Sequence, residues 1–97
     1  MKGMALEKEI EARLKREVER QGGWCLKFLS SVAGVPDRLC LFPCGRIAFV
    51  ELKAPGGKPR PLQQRQMARI RNLGFQVYVI DSEKGIGEFM EDMKERR

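Results

Sequence analysis

The sequence predicts an α/β fold: a mixed sheet flanked by helices, in the order α-β-β-β-α-β with a further helix at the C-terminal end. Three observations carry this. The chain opens with apolar residues spaced four apart and charges between them. Its middle holds short apolar runs of strand length bounded by Gly, Pro and Ser. A second helical stretch separates the last two runs, so a crossover must join them, and a right-handed crossover makes them parallel neighbours. Ninety-seven residues suffice for one small domain, and the reading takes 1–97 as that single unit.

Leu6, Ile10, Leu14 and Val18 form the first stripe, which predicts a helix from about Ala5 to Gln21, stopped by Gly22-Gly23. Trp24 to Leu29 reads as the first strand. Ser30 to Asp37 is a loop broken by Gly34 and Pro36. Leu39 to Phe42 and Ile47 to Lys53 read as a hairpin turning at Pro43-Cys44-Gly45-Arg46. Ala54 to Pro61 is a second loop, and Leu62 to Leu73 a second helix ended by Gly74. Phe75 to Ile80 is the fourth strand. Ile86, Phe89, Met90 and Met93 mark the last helix.

The charge is unevenly placed. The net value is +6, but residues 22–80 alone carry +7, with nine Lys/Arg and two acids. A basic centre between nearly neutral ends points to a phosphate polymer as partner. The two acids in this basic stretch are Asp37 and Glu51. Glu51 and Lys53 leave one face of their strand, because strand side chains alternate. Asp37 lies just before the partner strand, where hairpin pairing brings it toward Glu51. Two such carboxylates repel unless a cation lies between them. Magnesium suits the pair, since it takes one or two protein carboxylates plus waters and phosphate. The backbone carbonyl of Leu52 offers a third oxygen. Lys53 can stabilise charge on a phosphoryl group, or orient or deprotonate the attacking water.

Other features exclude alternatives. The chain has three cysteines and no histidine, which disfavours structural zinc. Cys25 and Cys40 lie in apolar runs and read as small buried hydrophobes, reduced as in a cytosol. No signal peptide and no membrane-length apolar run is present, so no membrane partner is expected. Gly56-Gly57-Lys58-Pro59-Arg60 lacks the Ser/Thr of a P-loop. No small-molecule cofactor is implied.

Gly34-Val35-Pro36-Asp37, the hairpin, and Glu51-Leu52-Lys53 together resemble the VRR-NUC domain of the PD-(D/E)xK nuclease superfamily. Phe49-Val50-Glu51-Leu52-Lys53-Ala54-Pro55, Arg60-Pro61-Leu62-Gln63 and Leu73-Gly74-Phe75 extend the likeness from the first helix to Ile80. The resemblance implies a restriction-endonuclease-like core and a metal-dependent DNA endonuclease. Its site would comprise Asp37, Glu51 and Lys53, with Asp37, Glu51 and the Leu52 carbonyl on Mg²⁺, for which Mn²⁺ would substitute. It also implies a glutamate on the first helix, Glu11 with Glu7 as runner-up, and a glutamine on the second, Gln63 ahead of Gln66. Stand-alone members are similar to phage nucleases and junction resolvases. That implies branched DNA as substrate, a homodimer, and the cytoplasm of a bacterium or phage-infected host; fused monomeric relatives act instead on flaps and nicks. The phosphate-binding surface expected around the site draws on Lys27, Ser30, Ser31, Lys58, Arg60 and Arg65. The terminal stripe of Ile86, Phe89, Met90 and Met93 is expected either to pack internally or to supply part of a dimer interface. A DNA-binding module without catalysis, or a protein- or RNA-associated module, are the competing classes.

Overall fold

The computed structural model describes residues 2–96, with side chains followed from Leu6 onward. Four strands form one sheet in the order β1-β2-β3-β4. They are β1 (Trp24–Lys27), β2 (Arg38–Phe42), β3 (Arg46–Leu52) and β4 (Gln76–Ile80). β1 pairs antiparallel with β2, β2 antiparallel with β3, and β3 parallel with β4. The helices are α1 (Lys2–Arg20), α2 (Pro61–Asn72) and α3 (Glu83–Glu95). The expected order and the parallel crossover are therefore present. Among the described residues no helix is long and apolar enough to cross a membrane.

Local chemistry explains the boundaries. α1 ends where Gly22 takes a left-handed φ of 82° and the Gly23 N–H reaches back to the Val18 carbonyl, a Schellman closure. α2 ends the same way: Gly74 has φ 98°, and the Phe75 N–H bonds to Ile70. Pro61 opens α2, where its missing N–H costs nothing. The Ser82 hydroxyl caps α3 by accepting from the Gly85 N–H at 3.0 Å. β1 stops two residues short of the Leu29 expected: Leu29 points into solvent as the chain leaves the sheet.

The core lies between one sheet face and α1 with α3. Ile10, Leu14 and Val18 of α1 meet Cys40, Phe42, Ala48, Val50, Leu52 and Ile80 of the strands, closed over by α3. Leu6, the first member of the α1 stripe, remains exposed. Ile86, Phe89, Met90 and Met93 are all buried inside this core. The dimer-interface option for that stripe is corrected accordingly: the stripe packs within the chain, because an amphipathic helix laid on a sheet turns its apolar face inward. Phe89 lies edge-on to both Phe42 and Tyr78.

α2 packs against β4 on the opposite face. Met67 and Val77 are buried there, and Phe28, Phe49 and Phe75 form an edge-to-face chain beside them. The loop before β2 is drawn onto α2 at Gly34. Its φ is 87°, and a Cβ there would lie 2.8 Å from the Leu62 Cγ. Only glycine allows that conformation at so close an approach.

Candidate active site

The site is built where β2 begins and β3 ends. Arg38 pairs with Val50, so the register carried outward sets Asp37 against Glu51 and Pro36 against Leu52. Proline has no N–H to give, so the ladder cannot continue there. The Asp37 carboxylate takes its place: Oδ1 accepts the Leu52 N–H at 3.1 Å. In an extended strand a residue's N–H and C=O point to the same side. The Leu52 carbonyl thus faces the Asp37 side, without a ladder donor from β2.

Asp37 is also held through its main chain. Its carbonyl accepts from the Phe28 N–H and from Arg38 Nη1, both at 2.9 Å. Backbone and side chain are both tied, which is the preorganisation a ligand or catalytic carboxylate needs.

Glu51 emerges on the α2 face and is only 5% exposed. Its Oε2 accepts from Gln63 Nε2 at 2.9 Å and lies 3.3 Å from Lys53 Nζ. Burial, then the nearby Asp37 charge, push its carboxyl above the ordinary range, while Lys53 and Gln63 oppose that shift. Lys53 Nζ donates to Gln63 Oε1 at 2.9 Å, and the same oxygen accepts the Arg60 N–H at 2.9 Å. Gln63 therefore bridges acid and amine while capping α2. Its amide orientation follows: the oxygen faces two donors, and the NH₂ faces the carboxylate.

The structure brings Asp37, Glu51, Lys53 and Gln63 together. Gln66 is elsewhere: its Nε2 donates to the Ala33 carbonyl at 3.2 Å and clamps the loop to α2. Glu11 approaches from the other sheet face and pairs with Arg38, not with Glu51 or Lys53. Glu7 has no hydrogen bond to the site among the described residues. Arg38 is the participant that the sequence reading missed. It is 7% exposed and links Glu11 of α1 to the Asp37 carbonyl. A signal existed: Arg38, Cys40 and Phe42 share one face by alternation, so the arginine had to point inward and find acceptors.

Lys58, Arg60 and Arg65 are exposed on the loop and helix that follow β3. Ser30 and Ser31 are exposed on the loop before β2, where the Ser30 hydroxyl accepts the Val32 N–H at 2.9 Å. Lys27 stands opposite Arg38 in the register, so its side chain leaves the other face from that of Glu51 and Gln63. Among the described residues no group of three or more His, Cys, Asp or Glu is placed to hold a metal ion. Any metal here would rest on two carboxylates and backbone oxygen, the sparse set magnesium accepts.

Against known proteins, residues 3–84 match the model of the VRR-NUC domain. The chain belongs to the VRR-NUC family. It is 53% identical over 78 residues to a provisionally named nuclease, p44, of Acyrthosiphon pisum secondary endosymbiont phage 1, covering 79% of this chain and 84% of that protein. A solved VRR-NUC domain superposes with a TM-score of 0.85 at 34% identity, covering 89% of this chain and 95% of the other. The VRR-NUC fold and nuclease class thus rest on sequence and structure alike.

Proposed function

We propose that this VRR-NUC protein is a Mg²⁺-dependent endonuclease that hydrolyses phosphodiester bonds in branched DNA. The observation that carries the reading is the Gln63 bridge, which holds Lys53 and a buried, proton-seeking Glu51 beside Asp37. Two carboxylates in that relation are an unfavourable arrangement for an empty fold and a favourable one for a divalent cation. Asp37, Glu51 and the Leu52 carbonyl would hold it. A bound Mg²⁺ supplies Lewis-acid polarisation of the phosphate and acidifies water.

The chain's own residues do the rest. Glu51 and Gln63 fix the Lys53 ammonium at the mouth of the site, where it faces the phosphate. There it stabilises negative charge as water attacks phosphorus and the P–O bond to the leaving sugar breaks. Arg60, Arg65 and Lys58 hold the backbone, and such contacts position DNA without reading its sequence. Structure rather than base order then selects the substrate. A four-way junction needs two cuts and each chain offers one site, so a homodimer is part of the proposal. Its interface must lie outside the buried α3 stripe.

The test is a panel of labelled four-way junction, flap, nicked and linear duplex, incubated with Mg²⁺ or EDTA, with sedimentation of the protein alone and on junction. Wild type should cut branched DNA only with metal. Glu51→Gln and Lys53→Ala should each lose about 10³-fold in rate, yet bind junction in EDTA within a few-fold of wild type. Cutting that survives in EDTA or in Glu51→Gln would overturn the metal-dependent reading. Binding without any cutting would favour the non-catalytic module.

A further inference from the structure

We propose that Cys25 and Cys40 form a reversible intrachain disulfide by exchange with a low-molecular-weight disulfide of the oxidised-glutathione type. The two residues stand directly opposite each other on β1 and β2. Their Sγ atoms are 3.8 Å apart. The register also says which kind of pair they make. The Phe28 N–H bonds to the Asp37 carbonyl, so 28 and 37 are a hydrogen-bonded pair. Alternation along an antiparallel ladder then makes 25 and 40 a non-hydrogen-bonded pair, the closer kind, with Cα atoms about 4.5 Å apart. Disulfides span Cα separations from about 4.4 Å upward, so the pair lies at the short end of the permitted range. A bond made there needs side-chain rotation and no change of register.

The two thiols are not equivalent. Cys40 is fully buried, whereas Cys25 is partly exposed on β1, an edge strand paired only with β2. Cys25 is therefore the sulfur that an external disulfide can reach. Its ionisation is favoured by the Cys40 thiol at its side and, more weakly, by the Arg38 guanidinium; the Cys40 proton is held more tightly in consequence. Exchange follows in two steps. The Cys25 thiolate attacks one glutathione sulfur, the glutathione S–S bond breaks, and one glutathione leaves and takes up a proton. Cys40, losing its proton to water, then attacks Cys25 Sγ and expels the second glutathione. The protein loses two electrons and one glutathione disulfide gains them.

The ring so closed contains the whole loop that delivers Asp37, together with Phe28, whose N–H anchors the Asp37 carbonyl. Oxidation thus tethers the edge strand and shortens the free excursions of that loop. Cys44 is exposed in the turn after β2 and serves as an internal control.

The test treats the folded wild-type protein with glutathione buffers from fully reduced to fully oxidised, followed by alkylation and fragment-ion mapping. The expected product has lost two hydrogens, links Cys25 to Cys40, and leaves Cys44 to be alkylated or glutathionylated separately. It should melt roughly 10–20 °C higher than the reduced form, and exchange the Phe28 amide more slowly. In Cys40→Ala the reaction should halt with glutathione retained on Cys25. Glutathione on Cys44 alone, or a 25–40 link that forms only in denaturant, would overturn the proposal.

Discussion

On one face of β3, Ala48, Val50 and Leu52 lie in the core beneath α1 and α3. One residue along, Glu51 points to the other face and meets Lys53 and Gln63. The first face is apolar along these three residues, with Arg38 and Arg46 at its margins, and its packing holds the fold. The second carries a buried acid, an amine and an amide, whose burial is costly and is offset only by their mutual bonds. One strand thereby separates stability from chemistry by the alternation of its side chains. The lesson is that substitutions one position apart should fail in different ways.

Breaking the core face should have the largest effect. Phe89→Ala removes a ring lying edge-on to Phe42 and Tyr78 and should cost about 3–5 kcal/mol. Thermal melts should then show a fall of more than about 12 °C. A fall of only a few degrees would mean that α3 is not part of the cooperative core.

The connection between the faces is sharpened at Arg38. Arg38→Met should weaken Mn²⁺ binding and slow cleavage by roughly 10–100-fold, since Asp37 loses a support that it needs in place. Arg38→Lys should not restore it, because one ammonium cannot reproduce the planar fork that spans two acceptors. Glu11→Gln should do less than Arg38→Met in Mn²⁺ titration by electron paramagnetic resonance. The reverse ranking would make Glu11 a direct ligand and Arg38 merely its counterion.

The smallest effect concerns the conflict between Asp37 and Glu51. Asp37→Asn keeps the acceptor for the Leu52 N–H and removes the like charge. In EDTA near neutral pH it should raise stability on the order of 1 kcal/mol while abolishing Mn²⁺ binding. The pH dependence has a definite sign. The Glu51 carboxyl lies above its ordinary value in the fold, so the folded state holds that proton more readily than the unfolded one. Its contribution to metal-free stability is present below the ordinary carboxylate range and is lost as pH rises through the raised value. Asp37→Asn should shrink that loss, and Mg²⁺ should oppose it. Melts across pH 4–7, with EDTA and with Mg²⁺, measure both; an unchanged slope would separate the two acids.

Much of this was legible along the chain. The Gly-Pro-Asp loop, the hairpin and the alternation of Glu51 with Lys53 are short-range features, and they sufficed to bring the two acids to one sheet end. Gln63 came from the family resemblance, which implies a glutamine on the second helix, and its place after Pro61-Leu62 put it ahead of Gln66. What escaped was Arg38 and the direction of Glu11. Both depend on how α1 rests across the sheet, and no local pattern reports the angle of one element on another. The α3 stripe was ambiguous for the same reason: amphipathicity says that a face is covered, not by what.

By itself, then, the sequence determined the element order, the basic centre and the identity of the facing acids, because periodicity and charge are properties of neighbouring residues. Only the tertiary structure decided that Arg38 ties α1 to the Asp37 loop, that Gln63 joins Glu51 to Lys53, and that Cys25 stands against Cys40. Those are contacts between distant segments, selected by register and by the need of each buried polar group for a partner.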